Sequence, residues 1–153
     1  MSEAETTASL ATDSGWLERS TLSQLSTNVA LNGLDEARVD VAELMWGSQR
    51  HITAVRQRWG PFDTVIASDV LYYPPATYSR LAETIRDLTA TGGAVVLSYK
   101  VRHGGEDRFV DLLTDAASGF PFKLVRESDC NTGEGVSSRV RVVTLARVSD
   151  CAT

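Results

Sequence analysis

The sequence predicts an α/β domain built on a mostly parallel sheet that closes with a C-terminal antiparallel hairpin, and three observations carry that prediction. Short apolar runs, Val65-Ile66-Ala67 and the stretch 94–99, have the length and content of buried strands. Apolar residues elsewhere recur at helical spacing: Tyr78, Leu81, Ile85 and Leu88 share one face, as do Phe109, Leu112, Leu113 and Ala116. The two kinds of segment alternate, and strands separated by helices imply crossover connections between parallel strands.

Each element has its own local reason. Residues 9–12 carry a weak strand pattern, and the polar, acidic segment 1–12 as a whole is expected to be mobile. A helix is expected over 15–32, with Asp13-Ser14 offering cap chemistry, Leu22, Leu25 and Val29 on one face, and Asn32-Gly33 as its stop. Val39 to Leu44 reads as a half-polar strand ended by Trp46-Gly47. Residues 50–58 are so rich in basic and amide side chains that they read as an exposed helical turn or insertion, closed by Gly60-Pro61. After the strand at 64–68 comes the helix of Tyr78 to Leu88, for which Thr91-Gly92-Gly93 is the expected stop. The strand at 94–99, the helix of Phe109 to Ala116, and two closing strands at 122–126 and 140–147 complete the order. The glycine-bearing loop 131–135 suits an antiparallel return between the last two. The domain is expected to span 13–148, with 149–153 as a tail.

Composition narrows the function classes. The chain has 153 residues, one domain's worth, with ordinary hydrophobic (42%) and charged (23%) content. A net charge of -5 disfavours nucleic acid as a partner, because gripping phosphates needs a clustered positive face. No apolar stretch approaches the roughly 20 residues of a membrane helix, and no basic-then-apolar leader opens the sequence. Cys130 and Cys151 fit no metal or redox spacing, and His51 and His103 have no metal-ligand partners nearby in sequence, so both histidines are expected at the surface. Two cysteines are compatible with reduced thiols, which makes the cytoplasm, or the nucleus, the expected place.

The most informative stretch is 62–75. The strand ends abruptly at Ser68-Asp69, and Pro74-Pro75 forbids its continuation. In an open α/β sheet, ligands sit outside the carboxyl ends of strands, which is where Asp69 and Tyr72 fall. The plainer reading has Asp69 capping a turn and Tyr72 packing on the core. Trp46 is likewise open between sealing the core and facing a ligand, whereas Tyr99 is expected to pack.

Four stretches in order then resemble a known family. They are Asn28-Val29 to Asn32, Leu44-Met45-Trp46-Gly47, Phe62-Asp63 through Ser68-Asp69-Val70-Leu71-Tyr72, and Tyr99-Lys100-Val101-Arg102, continued by Glu106-Asp107-Arg108-Phe109. Together they are similar to the class I methyltransferases that use S-adenosylmethionine, and within them to the eukaryotic protein-lysine methyltransferases called methyltransferase family 16. The resemblance covers about residues 20 to 147. It implies a Rossmann-like methyltransferase fold and protein-lysine N-methylation, with a protein substrate and neither nucleic acid nor membrane as partner. It also implies catalytic roles for Asp69 and Tyr72, which line the methyl-transfer site in the family. Trp46 would lie against the adenine of the cofactor, Ala67 and Ser68 would border the same pocket, and Asp13 would be the acid that binds the ribose hydroxyls. The residues by themselves leave lysine and arginine both open as the target.

One expected feature is missing from the sequence. Folds that bind adenosyl cofactors in this way open with a strand and a glycine-rich turn, and no G-x-G-x-x-G or close relative occurs here. With Asp13 as the ribose acid, that turn would fall before residue 1, so the domain is read as N-terminally truncated. The expected consequences are weak or no cofactor binding by these 153 residues, and a strand at 39–44 separated from those at 64 and 94. A second reading follows: a non-catalytic, methyltransferase-like module that binds a protein partner.

Overall fold

A computed structural model describes residues 7–11, 18–35, 37–72, 74–102, 105–131 and 139–149. Asp13, His103, Cys151, residues 1–6 of the expected mobile segment and the loop 132–138 lie outside the described residues. The chain divides into two compact units, residues 1–55 and 56–153.

The first unit holds strand β1 (Thr7–Ala11), helix α1 (Glu18–Leu31) and strand β2 (Val39–Glu43). β1 and β2 pair in parallel, from Thr7 opposite Val39 to Ala11 opposite Glu43, as the helix between them requires. α1 ends in a left-handed glycine cap. Gly33 has φ 62, its amide donates to Ala30 at 3.0 Å, and the Leu34 amide donates to Val29 at 3.2 Å. Only glycine takes that conformation without a Cβ penalty, so the Asn32-Gly33 stop is correct in kind.

Helix α2 (Gln49–Trp59) runs along the chain from the first unit into the second. It corrects the expectation of an exposed turn over 50–58: Ile52 and Val55 are each 2% exposed. Three-residue spacing puts the pair on one face, and two apolar residues among so many charges are too sparse for periodicity to register.

The second unit contains strand β3 (Phe62–Ser68), helix α3 (Tyr78–Leu88), strand β4 (Thr89–Lys100), helix α4 (Asp107–Thr114) and strands β5 (Phe122–Asn131) and β6 (Arg139–Arg147). Its sheet runs in the order β3-β4-β6-β5. β3 and β4 are parallel, and β6 is antiparallel to both β4 and β5. Val95, Leu97 and Tyr99 are buried on one face of β4, next to Val143 and Leu145 of β6 in the sheet. The apolar face of α3 (Tyr78, Leu81, Ile85, Leu88) and Phe109 and Leu113 of α4 are buried too, and Tyr78 meets the Phe109 ring edge-on at 5.3 Å. Among the described residues no helix is long and apolar enough to cross a membrane.

Gly92-Gly93 does not stop α3. The helix ends at Leu88, where the Thr89 hydroxyl donates to the Ile85 carbonyl at 2.7 Å and Thr89 turns extended. The half-buried Arg147 guanidinium then donates to the carbonyls of Arg86 and Thr89. Both glycines lie inside β4, and a Cβ on Gly93 would stand 2.9 Å from the carbonyl oxygens of Ala90 and Asp63. Gly93 is there so that β3 can approach β4 closely.

Candidate functional site

The candidate site is built on the carboxyl end of β3. Ala67 and Ser68 are its last residues, in register with Leu97 and Ser98 of β4; Ala67 is half-buried and Ser68 exposed. Asp69 then leaves the strand with φ 52, the left-handed region, while its amide still donates to the Ser98 carbonyl at 2.7 Å. A non-glycine residue pays roughly 1–2 kcal/mol for that conformation, and aspartate is among the few types found there with any frequency. The turn throws the Asp69 side chain clear of the sheet, where it is 53% exposed. Leu71 is buried, and Tyr72 is 58% exposed.

Two side chains hold this turn. Arg102, just beyond β4, donates from Nη1 to Oδ1 and from Nη2 to Oδ2 of Asp69, each at 2.9 Å. The Tyr78 hydroxyl, from the start of α3, donates to the Leu71 carbonyl at 3.1 Å. The hydrogen bonds from Arg102 hold the Asp69 carboxyl below the usual carboxylate range, against a smaller opposing effect of burial. The same pairing raises the Arg102 guanidinium. Burial, and secondarily the Glu106 charge, push the Tyr78 hydroxyl up, so it remains a donor.

The loop after β4 is equally well tied. The Arg102 amide donates to Glu106 Oε1 at 3.1 Å, and Glu106 is only 4% exposed. Tyr99, 1% exposed, packs as expected and donates its hydroxyl to Asp107 at 2.9 Å; Asp107 in turn pairs with Arg141 at 2.9 Å.

In the first unit, half-buried Trp46 follows β2 in a turn completed by Gly47 at φ 74. His51 holds this turn: its Nδ1 accepts from the Met45 amide at 3.1 Å, and its Nε2 lies 3.8 Å from Glu43. His51 is therefore not the plain surface histidine expected from sequence, since its side chain is 18% exposed and engaged at both nitrogens. The structure thus brings Ala67, Ser68, Asp69 and Tyr72 together on one strand end, places Trp46 on a turn of the other unit, and leaves Asp13 outside the described residues.

The parallel β3-β4 pair, the β6 strand inserted antiparallel beside β4, and a charged turn at the end of β3 define the class I, Rossmann-like fold of S-adenosylmethionine-dependent methyltransferases. The family profile described as lysine methyltransferase matches residues 11–116, and the chain belongs to that family. Solved structures are similar in fold. The [4+2]-cyclase SpnF matches with a TM-score of 0.65 at 12% identity, over 94% of this chain and 67% of its own. An rRNA methylase from Streptococcus thermophilus matches at 0.61 and 11% identity, over 94% of this chain and 74% of its own. A SAM-dependent methyltransferase from Anabaena variabilis matches at 0.56 and 13% identity, over 92% and 76% respectively.

Proposed function

We propose that this protein transfers methyl groups from S-adenosylmethionine to lysine side chains of a protein substrate, with Asp69 and Tyr72 at the reacting end. The observation that carries the proposal is the exposed Asp69–Tyr72 turn at the carboxyl end of β3, in a chain of the lysine methyltransferase family. The acidic balance of -5 favours a protein over an RNA substrate. The expected setting is the cytoplasm or nucleus.

The residues present suit the cofactor in kind. Ala67 and Ser68 offer a small, open strand end that would border it. When bound, S-adenosylmethionine supplies a sulfonium methyl that passes to a neutral amine nitrogen as its carbon–sulfur bond breaks. The chain's own work is to position that amine. Asp69, held ionised by Arg102, accepts an N–H of the amine and orients its lone pair. Tyr72 offers a ring face to the cationic form of the lysine as it arrives.

A second reading is a non-catalytic, methyltransferase-like module that binds a protein partner. A thermal-shift measurement of the 153-residue chain with S-adenosylhomocysteine separates the two. A clear shift supports the methyltransferase reading; no shift supports the second reading for this chain.

A further inference from the structure

Both oxygens of the Asp69 carboxylate are engaged by a single guanidinium, in a fork with two equal 2.9 Å hydrogen bonds. Arg102 is itself fixed at two more points: Nη1 reaches the Lys100 carbonyl at 3.3 Å, and the backbone amide is bound by the buried Glu106. An ion pair kept only for surface stability needs no such anchoring, and exposed pairs of that kind contribute little. The anchoring also sits beside a left-handed backbone at Asp69, a conformation that costs stability instead of adding to it.

We propose that Arg102 is the positioning residue for Asp69: it fixes the plane of the carboxylate so that one oxygen presents an outward lone pair to the incoming lysine amine. This inference rests on the protein-lysine reading above. A guanidinium fork is coplanar with the carboxylate it grips, so the group cannot rotate about its Cβ–Cγ bond without breaking both hydrogen bonds. A carboxylate held in this way is a hydrogen-bond acceptor and a poor proton acceptor, so its part is orientation. The two anchors on Arg102 transfer that orientation to the loop after β4, and hence to the sheet. Lysine could supply the charge at position 102 but not the plane.

The test uses the full-length protein with R102M, R102K, D69N and the R102M/D69N pair, each checked for native circular dichroism. R102M is expected to lower kcat/KM for methyl transfer to protein by roughly ten- to hundredfold, the range of a lost hydrogen bond to a charged group. The loss falls on kcat and on the KM for protein, with the KM for S-adenosylmethionine unchanged. R102K recovers only part of it, and the double variant is no worse than D69N alone. In a carbon-13 titration, the Asp69 carboxyl midpoint moves up in R102M. Losses that add in the double variant, full recovery by R102K, or an unmoved midpoint would overturn the role of Arg102. The titration needs no substrate, so a wild type that methylates no protein overturns the functional reading separately.

Discussion

The Tyr78 hydroxyl donates a 3.1 Å hydrogen bond to the Leu71 carbonyl, so the first residue of α3 holds the turn that presents Asp69 and Tyr72. Both partners are buried, and removing the hydroxyl leaves a carbonyl without its donor in a dry place. Tyr78→Phe is expected to cost about 1–2 kcal/mol in urea unfolding and to lower methyl transfer through the loosened turn. Stability equal to wild type would remove this hydrogen bond from the account.

Gly93→Ala tests the close approach of β3 to β4. Its Cβ would meet the carbonyl oxygens of Asp63 on β3 and of Ala90 on β4 itself, each at 2.9 Å, so relief requires β4 to deform as well as move from β3. The expected loss is about 1–3 kcal/mol, the range for forced overpacking. Gly92→Ala, with open space around its Cβ but φ 80, is expected to suffer from backbone strain alone, so the two variants separate contact from conformation.

Tyr99 makes alkaline stability a test of the second unit. Burial, then the Asp107 hydrogen bond, raises its hydroxyl well above the ordinary value of 10.0. A raised folded value means that the contribution is complete below about pH 10, where the unfolded tyrosine begins to ionise, and is lost as pH climbs toward the folded value. Wild type is therefore expected to lose stability above about pH 10 more steeply than Tyr99→Phe. Parallel curves for the two proteins would contradict the buried, protonated hydroxyl.

Asp69 separates stability from chemistry. Its folded value is lowered, so its contribution is present above about pH 4 and disappears as pH falls through the folded value. The side chain is more than half exposed, and the pair with Arg102 is expected to supply under about 1 kcal/mol of folding stability. Asp69→Asn should thus unfold at nearly the wild-type urea midpoint at neutral pH, with a flatter acid limb, while losing most methyl transfer. A large stability loss with activity retained would make Asp69 a structural residue.

What the sequence made legible follows from distance along the chain. β3, β4, α3 and α4 announce themselves because their apolar spacing is local and strong. α2 does not, since Ile52 and Val55 are its only buried residues. Gly92-Gly93 misleads in a specific way: glycine reads as a breaker, but Gly93 is required by a neighbouring strand whose carbonyl at Asp63 is thirty residues earlier in the sequence. The strand-end position of Asp69 was readable from the apolar run and the double proline. Its partner Arg102 was visible only as one letter of a familial run, because no spacing rule joins residues 33 apart. His51 and Tyr78 escaped for another reason. Their partners are a backbone amide and a backbone carbonyl, which carry no residue signature.

The most direct test of the central claim is transfer of a labelled methyl group from S-adenosylmethionine to protein lysines by the full-length protein, wild type beside Asp69→Ala. Wild type is expected to transfer the label, and the variant, which forfeits a charged hydrogen-bond acceptor at the amine, to transfer at least roughly tenfold less. Equal transfer by the two proteins would contradict the claim.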